Sequence, residues 1–300
     1  MNEKQVSEKI EILSVALLDQ NRPQVEELKR LARSLGIGLG WHYLLDWAWI
    51  LNQLGEVRGM QLLDAGAGQG LLQWYLAGQG AKVLSVDRAS RADLSLRFRA
   101  RYRIQGLRPQ DLSPAVQVIG LNLKHASGAA NRVVITARGM VGLLQSALPK
   151  SSPGVVVIYN QDLQSLPLVA DHSQDAVVAV SALEHNTPQE LEQVVEELMR
   201  VLKPGGLLLA TLGASRDEDW FHQPSQGWCY TEATLRRIFR LTDGVPSNYD
   251  CYDELLASLR ECAELRDNLA EFYYHSGDNG MPWGKWDPQY QPVGVCKIKS

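Results

Sequence analysis

The sequence predicts an α/β fold built on a doubly wound, mostly parallel sheet. Three observations carry that expectation. From Met60 onward, short apolar runs alternate with helix-like stretches, the pattern of strands joined by crossover helices. The first run leads straight into the alternate glycines Gly66, Gly68 and Gly70. Further on, Thr187-Pro188-Gln189-Glu190 opens a helix with an N-cap, a proline at the first helical position and a capping-box glutamate. Lys203-Pro204-Gly205-Gly206 then stops that helix and turns the chain into another apolar run.

Taken in order, residues 2–54 read as helical throughout. Ile10, Leu13, Leu17 and Leu18 share one face, and Val25, Leu28, Leu31 and Leu35 share another after a break at Asn21-Arg22-Pro23. Gly36, Gly38 and Gly40 form a joint, and Trp41 to Leu51 has helix length but is apolar around most of its circumference, which suggests burial or a cover for a ligand. Strands follow at 60–64, 81–86, 155–159, 175–181 and 206–211, with the helix from Leu191 to Leu202 between the last two. The stretch 95–150 departs from the alternation. Leu96, Phe98, Ala100, Tyr102 and Ile104 alternate with Arg97, Arg99, Arg101 and Arg103, which is strand period. Apolar runs at Val116–Leu123 and Val133–Thr136 complete what reads as an excursion from the main sheet.

Composition narrows the function classes. The chain has 300 residues, 45% hydrophobic and 21% charged, as a globular protein does, so disordered and fibrous classes are excluded. With 30 Lys and Arg against 34 Asp and Glu, any nucleic-acid binding has to rest on a local patch. Cys229, Cys251, Cys262 and Cys296 are too scattered for a disulfide framework and include no C-x-x-C pair, so reduced thiols and no metal centre are expected. No run of eighteen apolar residues occurs and Met1 to Glu11 is polar, so neither a membrane span nor a signal peptide is read, and a cytoplasmic protein is expected.

The chemistry concentrates at strand ends. Met60-Gln61-Leu62-Leu63-Asp64 runs into Ala65-Gly66-Ala67-Gly68-Gln69-Gly70, a turn that lets backbone approach a ligand where side chains would collide with it. A second run ends at Asp87, where a carboxylate can accept both hydroxyls of a ribose, and a third is followed by Asn160-Gln161-Asp162. Three acids at the tips of three strands point to one carboxyl edge.

These residues resemble the class I S-adenosylmethionine-dependent methyltransferases, with their seven-stranded Rossmann-like sheet, and in particular the small-molecule, type 11-like branch. Asp64 to Gly70 looks like the family's first motif, Asp87 like its ribose-binding acid, and Asp162-Leu163 like the residues flanking the adenine. Ser181-Ala182-Leu183-Glu184-His185 resembles the segment after the fourth strand, and Leu202 to Gly206 the turn before the fifth. The likeness covers roughly residues 55–240, with Pro292 to Lys299 a candidate seventh, antiparallel strand.

The resemblance implies a helical cover at 1–54 and a methyltransferase domain at 55–300, with an insertion at about 95–150 after the second strand and substrate-side elements at about 213–290. It implies S-adenosylmethionine as cofactor, held by Asp64, Gly66, Ala67, Gly68, Gly70, Asp87, Arg88, Asp162, Leu163 and Ser181, with Trp41 and His42 as further contacts. The acceptor is expected to be a small molecule or a lipid or glycan precursor. His185 is the candidate base by position, capping or packing under the following helix being its other role.

Other readings stay open. Seven arginines from Arg88 to Arg108 could track a phosphate backbone in an RNA or protein methyltransferase, although strict alternation separates them from Phe98 and Tyr102, which makes nucleic acid the weaker reading. A non-catalytic S-adenosylmethionine-binding regulator would share the cofactor site. A nicotinamide oxidoreductase would also place an acid after its second strand, but position 71 is Leu and the sixth-position glycine of the dinucleotide fingerprint is missing. The aromatics Trp41, Tyr43, Trp47 and Trp49, with Trp220, Trp228, Tyr230, Trp283 and Trp286, are candidates for an acceptor pocket.

Overall fold

A computed structural model describes residues 6–125, 127–150, 152–269 and 285–300. Ten strands occur among them: β1 (Lys9–Ile12), β2 (Gln61–Ala65), β3 (Lys82–Asp87), β4 (Arg103–Gly106), β5 (Val155–Asn160), β6 (Gln174–Val180), β7 (Leu202–Ala214), β8 (Trp220–His222), β9 (Gly227–Tyr230) and β10 (Gln291–Ile298). They lie in two compact units, Val57–Asp162 and Met1–Glu56 with Leu163–Ser300.

The unit Val57–Asp162 is a parallel sheet in the order β2-β3-β5-β4. Its strands are apolar because both faces are covered: Leu62, Leu63, Val83, Val86, Val156 and Ile158 are all fully buried. The helix Leu72–Gly78 connects β2 to β3 and contributes Trp74, whose ring stacks on Phe98 at 4.7 Å.

The alternating arginines do not form a strand. Leu96–Arg101 is a helix, and only Arg103–Gly106 is extended, pairing parallel to β5. Packing overrides the period of two: Leu96, Arg99 and Tyr102 recur at helical spacing and all are buried. The Arg99 guanidinium donates to the carbonyls of Leu94, Ala92 and Ser113, so it is a structural cation, while Arg97, Arg101 and Arg103 are exposed. The two apolar runs that follow are likewise helices, Ala115–His125 and Ala129–Ala147. Glycines on the inner side of the second helix let it pack closely on its neighbours: a Cβ at Gly139 would lie 2.9 Å from Ile119 of the first helix, and one at Gly142 would lie 3.0 Å from Leu96 of the helix Leu96–Arg101.

In the other unit the order is β1-β10-β7-β6, with β6 parallel to β7, β10 antiparallel to β7, and β8 and β9 attached at the end of β7. The antiparallel strand read at Pro292–Lys299 is β10. The amino-terminal segment corrects the all-helical reading, since Lys9–Ile12 is a strand. Ile10 and Ile12 are buried at 1% and 0% exposure with period two, and β1 saturates the edge of β10, which the isolated segment cannot announce.

The apolar helix Tyr43–Leu54 is buried, as its composition requires. Trp49 Nε1 donates to Glu11 Oε2 at 2.8 Å, tying this helix to β1. A Cβ on Gly294 would stand 2.5 Å from the Trp49 ring, so β10 can pass the indole only as glycine. Gly294→Ala is expected to destabilise the protein by about 1–3 kcal/mol through overpacking, measured by denaturant unfolding, and an unchanged midpoint would show that the indole moves freely.

Candidate functional site

The three acids at strand tips lie in the unit Val57–Asp162. Because β2, β3 and β5 are parallel neighbours, their carboxyl ends share one edge. Asp64 is the fourth residue of β2, Asp87 ends β3 opposite Asn160, and Asp162 follows two positions after β5. Asp64 is buried, Asp87 half-buried and Asp162 exposed.

The glycine turn is held in one shape. Gly66 and Gly68 have φ of 72° and 46°, which side-chain-bearing residues rarely adopt, and a Cβ on Gly70 would press to 2.9 Å from the Ala67 carbonyl. The N–H groups of Gly66 and Ala67 both donate to Val86 O, and Gly68 N–H donates to Asp87 Oδ2 at 2.8 Å. Asp87 Oδ1 accepts from Ala89 N–H at 2.7 Å. Both carboxylate oxygens are therefore oriented, and each keeps a further lone pair. Arg88, beside it, is exposed.

Beneath the turn lies a polar network that sequence reasoning did not single out. Gln73 Nε2 donates to Gly70 O at 3.1 Å, its Oε1 accepts from Ser85 Oγ at 2.6 Å, and Arg91 donates to Ser85 Oγ at 2.5 Å and to Ser85 O at 2.7 Å. Arg91 is only 5% exposed. The available signal was Ser85, a hydroxyl inside an otherwise apolar run, because a buried hydroxyl needs a partner. Burial pushes the Asp64 carboxyl up to about 7, with the Arg91 charge opposing and the Asp87 charge adding to the shift. Asp64 thus sits near the point of ionisation at neutral pH.

The remaining candidates belong to the other unit. Ser181 follows β6 with φ 47°, and its N–H is fixed by Thr211 on β7. Its hydroxyl donates to Glu184 Oε1 at 2.5 Å and lies 3.4 Å from His42 Nε2, while His42 Nδ1 is 2.6 Å from Asp46 Oδ2. The result is a linked row Asp46–His42–Ser181–Glu184, with both carboxylates buried and one oxygen of each, Asp46 Oδ1 and Glu184 Oε2, lacking a hydrogen-bond partner. Burial pushes the Glu184 carboxyl above the usual range. Asp46 was legible as an acid inside an apolar helix one turn after His42, hence on the same face.

Aromatic rings surround this row. Trp41 meets His42 edge-on at 4.5 Å and Tyr290 at 5.2 Å, and Tyr290 meets His222 at 5.3 Å. Tyr230 is fully buried, with its hydroxyl on Asn186 O. Trp283 lies outside the described residues. His185 does not join the row: it is exposed, with Nδ1 at 2.9 Å from Gln226 O. Leu163 is half-buried.

Residues 119–210 match the family described as a methyltransferase domain, type 11. No curated protein matches the sequence. Among solved structures, the chain is similar to an S-adenosylmethionine-dependent methyltransferase from Aquifex aeolicus, with 16% identity and a TM-score of 0.40 over 93% of this chain and 98% of that one. A second similar structure is the 1,6-didemethyltoxoflavin-N1-methyltransferase of Burkholderia thailandensis with bound 1,6-didemethyltoxoflavin and S-adenosylhomocysteine, at 15% identity and a TM-score of 0.40 over 95% and 85% of the two chains. A third is the geranyl diphosphate C-methyltransferase of Streptomyces coelicolor, at 14% identity and a TM-score of 0.40 over 84% and 74%. Parallel strands, a glycine turn after β2 and a methyltransferase-domain match over residues 119–210 thus occur together in this chain.

Proposed function

We propose that the chain transfers the methyl group of S-adenosylmethionine to a small organic acceptor, a free metabolite or a lipid or glycan precursor, by in-line displacement. The observation that carries the cofactor assignment is the glycine turn pinned to Asp87 at the carboxyl edge of β2, β3 and β5. Its donor set fits the cofactor: carboxylates for an ammonium and two ribose hydroxyls, and bare backbone in place of a phosphate nest. When bound, the cofactor supplies an electrophilic methyl on a sulfonium.

The chain's own residues supply orientation and proton handling. Asp87 positions the ribose, Asp64 provides negative charge for the amino-acid tail, Gly66, Ala67, Gly68 and Gly70 form the close backbone surface, and Arg88, Asp162 and Leu163 border the base. Ser181, Trp41 and His42 belong to the other unit, where the row Asp46–His42–Ser181–Glu184 offers sites for a proton. His42 replaces His185 as the proposed base, because Asp46 fixes its ring and its Nε2 meets a polar hydroxyl, whereas His185 is turned onto a surface carbonyl.

A small acceptor is favoured over RNA because the arginines do not form a continuous stripe. Arg91 and Arg99 are buried on structural carbonyls and Arg97, Arg101 and Arg103 stand apart from them.

Calorimetry should show S-adenosylmethionine and S-adenosylhomocysteine binding and no NAD binding. Asp87→Ala should weaken cofactor binding by about ten- to a hundredfold, since charge-assisted hydrogen bonds are worth about 1.5–3 kcal/mol. Affinity equal to the parent would remove Asp87 from the site. The raised Asp64 value gives a sign: its carboxyl gains a proton as pH falls through about 7, so affinity for the cationic cofactor should drop over that interval. Asp64→Asn should flatten the profile, and an unchanged profile would place the tail elsewhere. For proton transfer, His42→Asn should lower kcat by about 10²–10⁴-fold with cofactor affinity kept, while His185→Ala stays near the parent rate. The reverse ranking would return the role to His185.

A further inference from the structure

The helix Ala129–Ala147 turns an apolar face outward. Val133, Met140, Val141 and Leu144 of this helix, with Leu148 just past its end, are each more than half exposed, Leu144 to 70%. At about 100° per residue they form one stripe, on the side opposite Gly139 and Gly142, which pack inward. From Val133 to Leu144 the stripe is about 17 Å long. Val116 on the preceding helix adds another 70% exposed side chain. A soluble domain rarely leaves so much aliphatic surface in water without a use for it.

Charge identifies what covers it. Between Asp111 and Asp162 the sequence has no Asp or Glu, yet it carries Lys124, Arg132, Arg138 and Lys150, in a chain whose net charge is -4. Lys124 and Arg132 are exposed. An exposed aliphatic face in a segment that carries cations and no acids suits a helix lying in the surface of an anionic bilayer. A second copy of the chain would set this acid-free basic face against itself, which like charges oppose. No described helix is long and apolar enough to cross a membrane, so the face fits an interfacial role and not a spanning one.

We propose that the helices Ala115–His125 and Ala129–Ala147 dock the protein on anionic lipid bilayers, the aliphatic stripe entering the headgroup boundary and Lys124 and Arg132 meeting lipid phosphates. This stands independently of the methyl-transfer chemistry.

The test is flotation of the full chain with phosphatidylcholine vesicles, with and without phosphatidylglycerol. Binding is expected on the anionic vesicles, weakened by salt, and at least about tenfold weaker on phosphatidylcholine alone. The double variant Val141→Asp/Leu144→Asp should lose binding. Lys124→Ala/Arg132→Ala, which leaves the apolar face intact, should weaken it by about tenfold or more, with circular dichroism of both variants matching the parent. Absence of binding to anionic vesicles, equal binding to both lipids, or undiminished binding by both variants would overturn the proposal. So would a lipid-free dimer, seen by light scattering, that the aspartate variant dissociates.

Discussion

The hydrogen bond from Gly68 N–H to Asp87 is the constraint on which the carboxyl edge of β2 and β3 depends. It joins the turn after β2 to the tip of β3, so that two neighbouring strands present one continuous backbone surface. A turn of three alternate glycines has large conformational freedom, and holding it in one shape costs entropy that the surroundings must offset. Here the surroundings are polar. Gln73 and Arg91 engage the turn's carbonyls from beneath, and Ser85 links them. The amides therefore bond to β3 while the carbonyls are bound below, and the turn is a preorganised surface.

The same arrangement explains why a carboxyl can be buried at this edge. Taking Asp64 out of water disfavours its charge, and the neighbouring Arg91 guanidinium recovers part of the cost. Arg91 is itself drawn into the interior by the serine hydroxyl and carbonyl it serves, with burial lowering its hold on its proton. The second buried row, Asp46 to Glu184, is organised differently: two carboxyls bracket an imidazole and a hydroxyl, and the strained backbone of Ser181 fixes the hydroxyl's direction. One network sets shape and the other offers sites for a proton.

Much of this was legible in the chain. Strands with both faces covered announce themselves as short apolar runs, and β2, β3, β5, β6 and β7 were read to within a few residues. The Thr187 capping box is present as expected, with Thr187 accepting from Glu190 N–H. The failures share a cause. At 96–104 and at 9–12 the local period was a weak guide, because Trp74 and the carbonyls around Arg99 determine the first segment and the open edge of β10 determines the second. Arg91 escaped notice among the polar residues Arg88, Ser90 and Asp93, and Gln73, Ser85 and Asp46 because each is a single polar residue in an apolar setting. Its partner lies elsewhere in the chain or on the unseen face of its own helix. His185 attracted attention by its place in a motif, while His42, read only as a cofactor contact, is the imidazole held by a buried carboxylate.

The outer edge of one sheet has a temporal consequence. In the register of β1 with β10, Ile10 faces Val295, and β10 in turn separates β1 from β7. During synthesis β1 emerges about 280 residues ahead of β10 and must wait for its partner over that length. Its isoleucines remain wet and available to chaperones throughout that interval. Loop closure over so great a separation makes this pairing a late event in folding. Nascent chains halted before β10 would accordingly carry an unpaired β7 edge, the kind of surface on which misassembly begins.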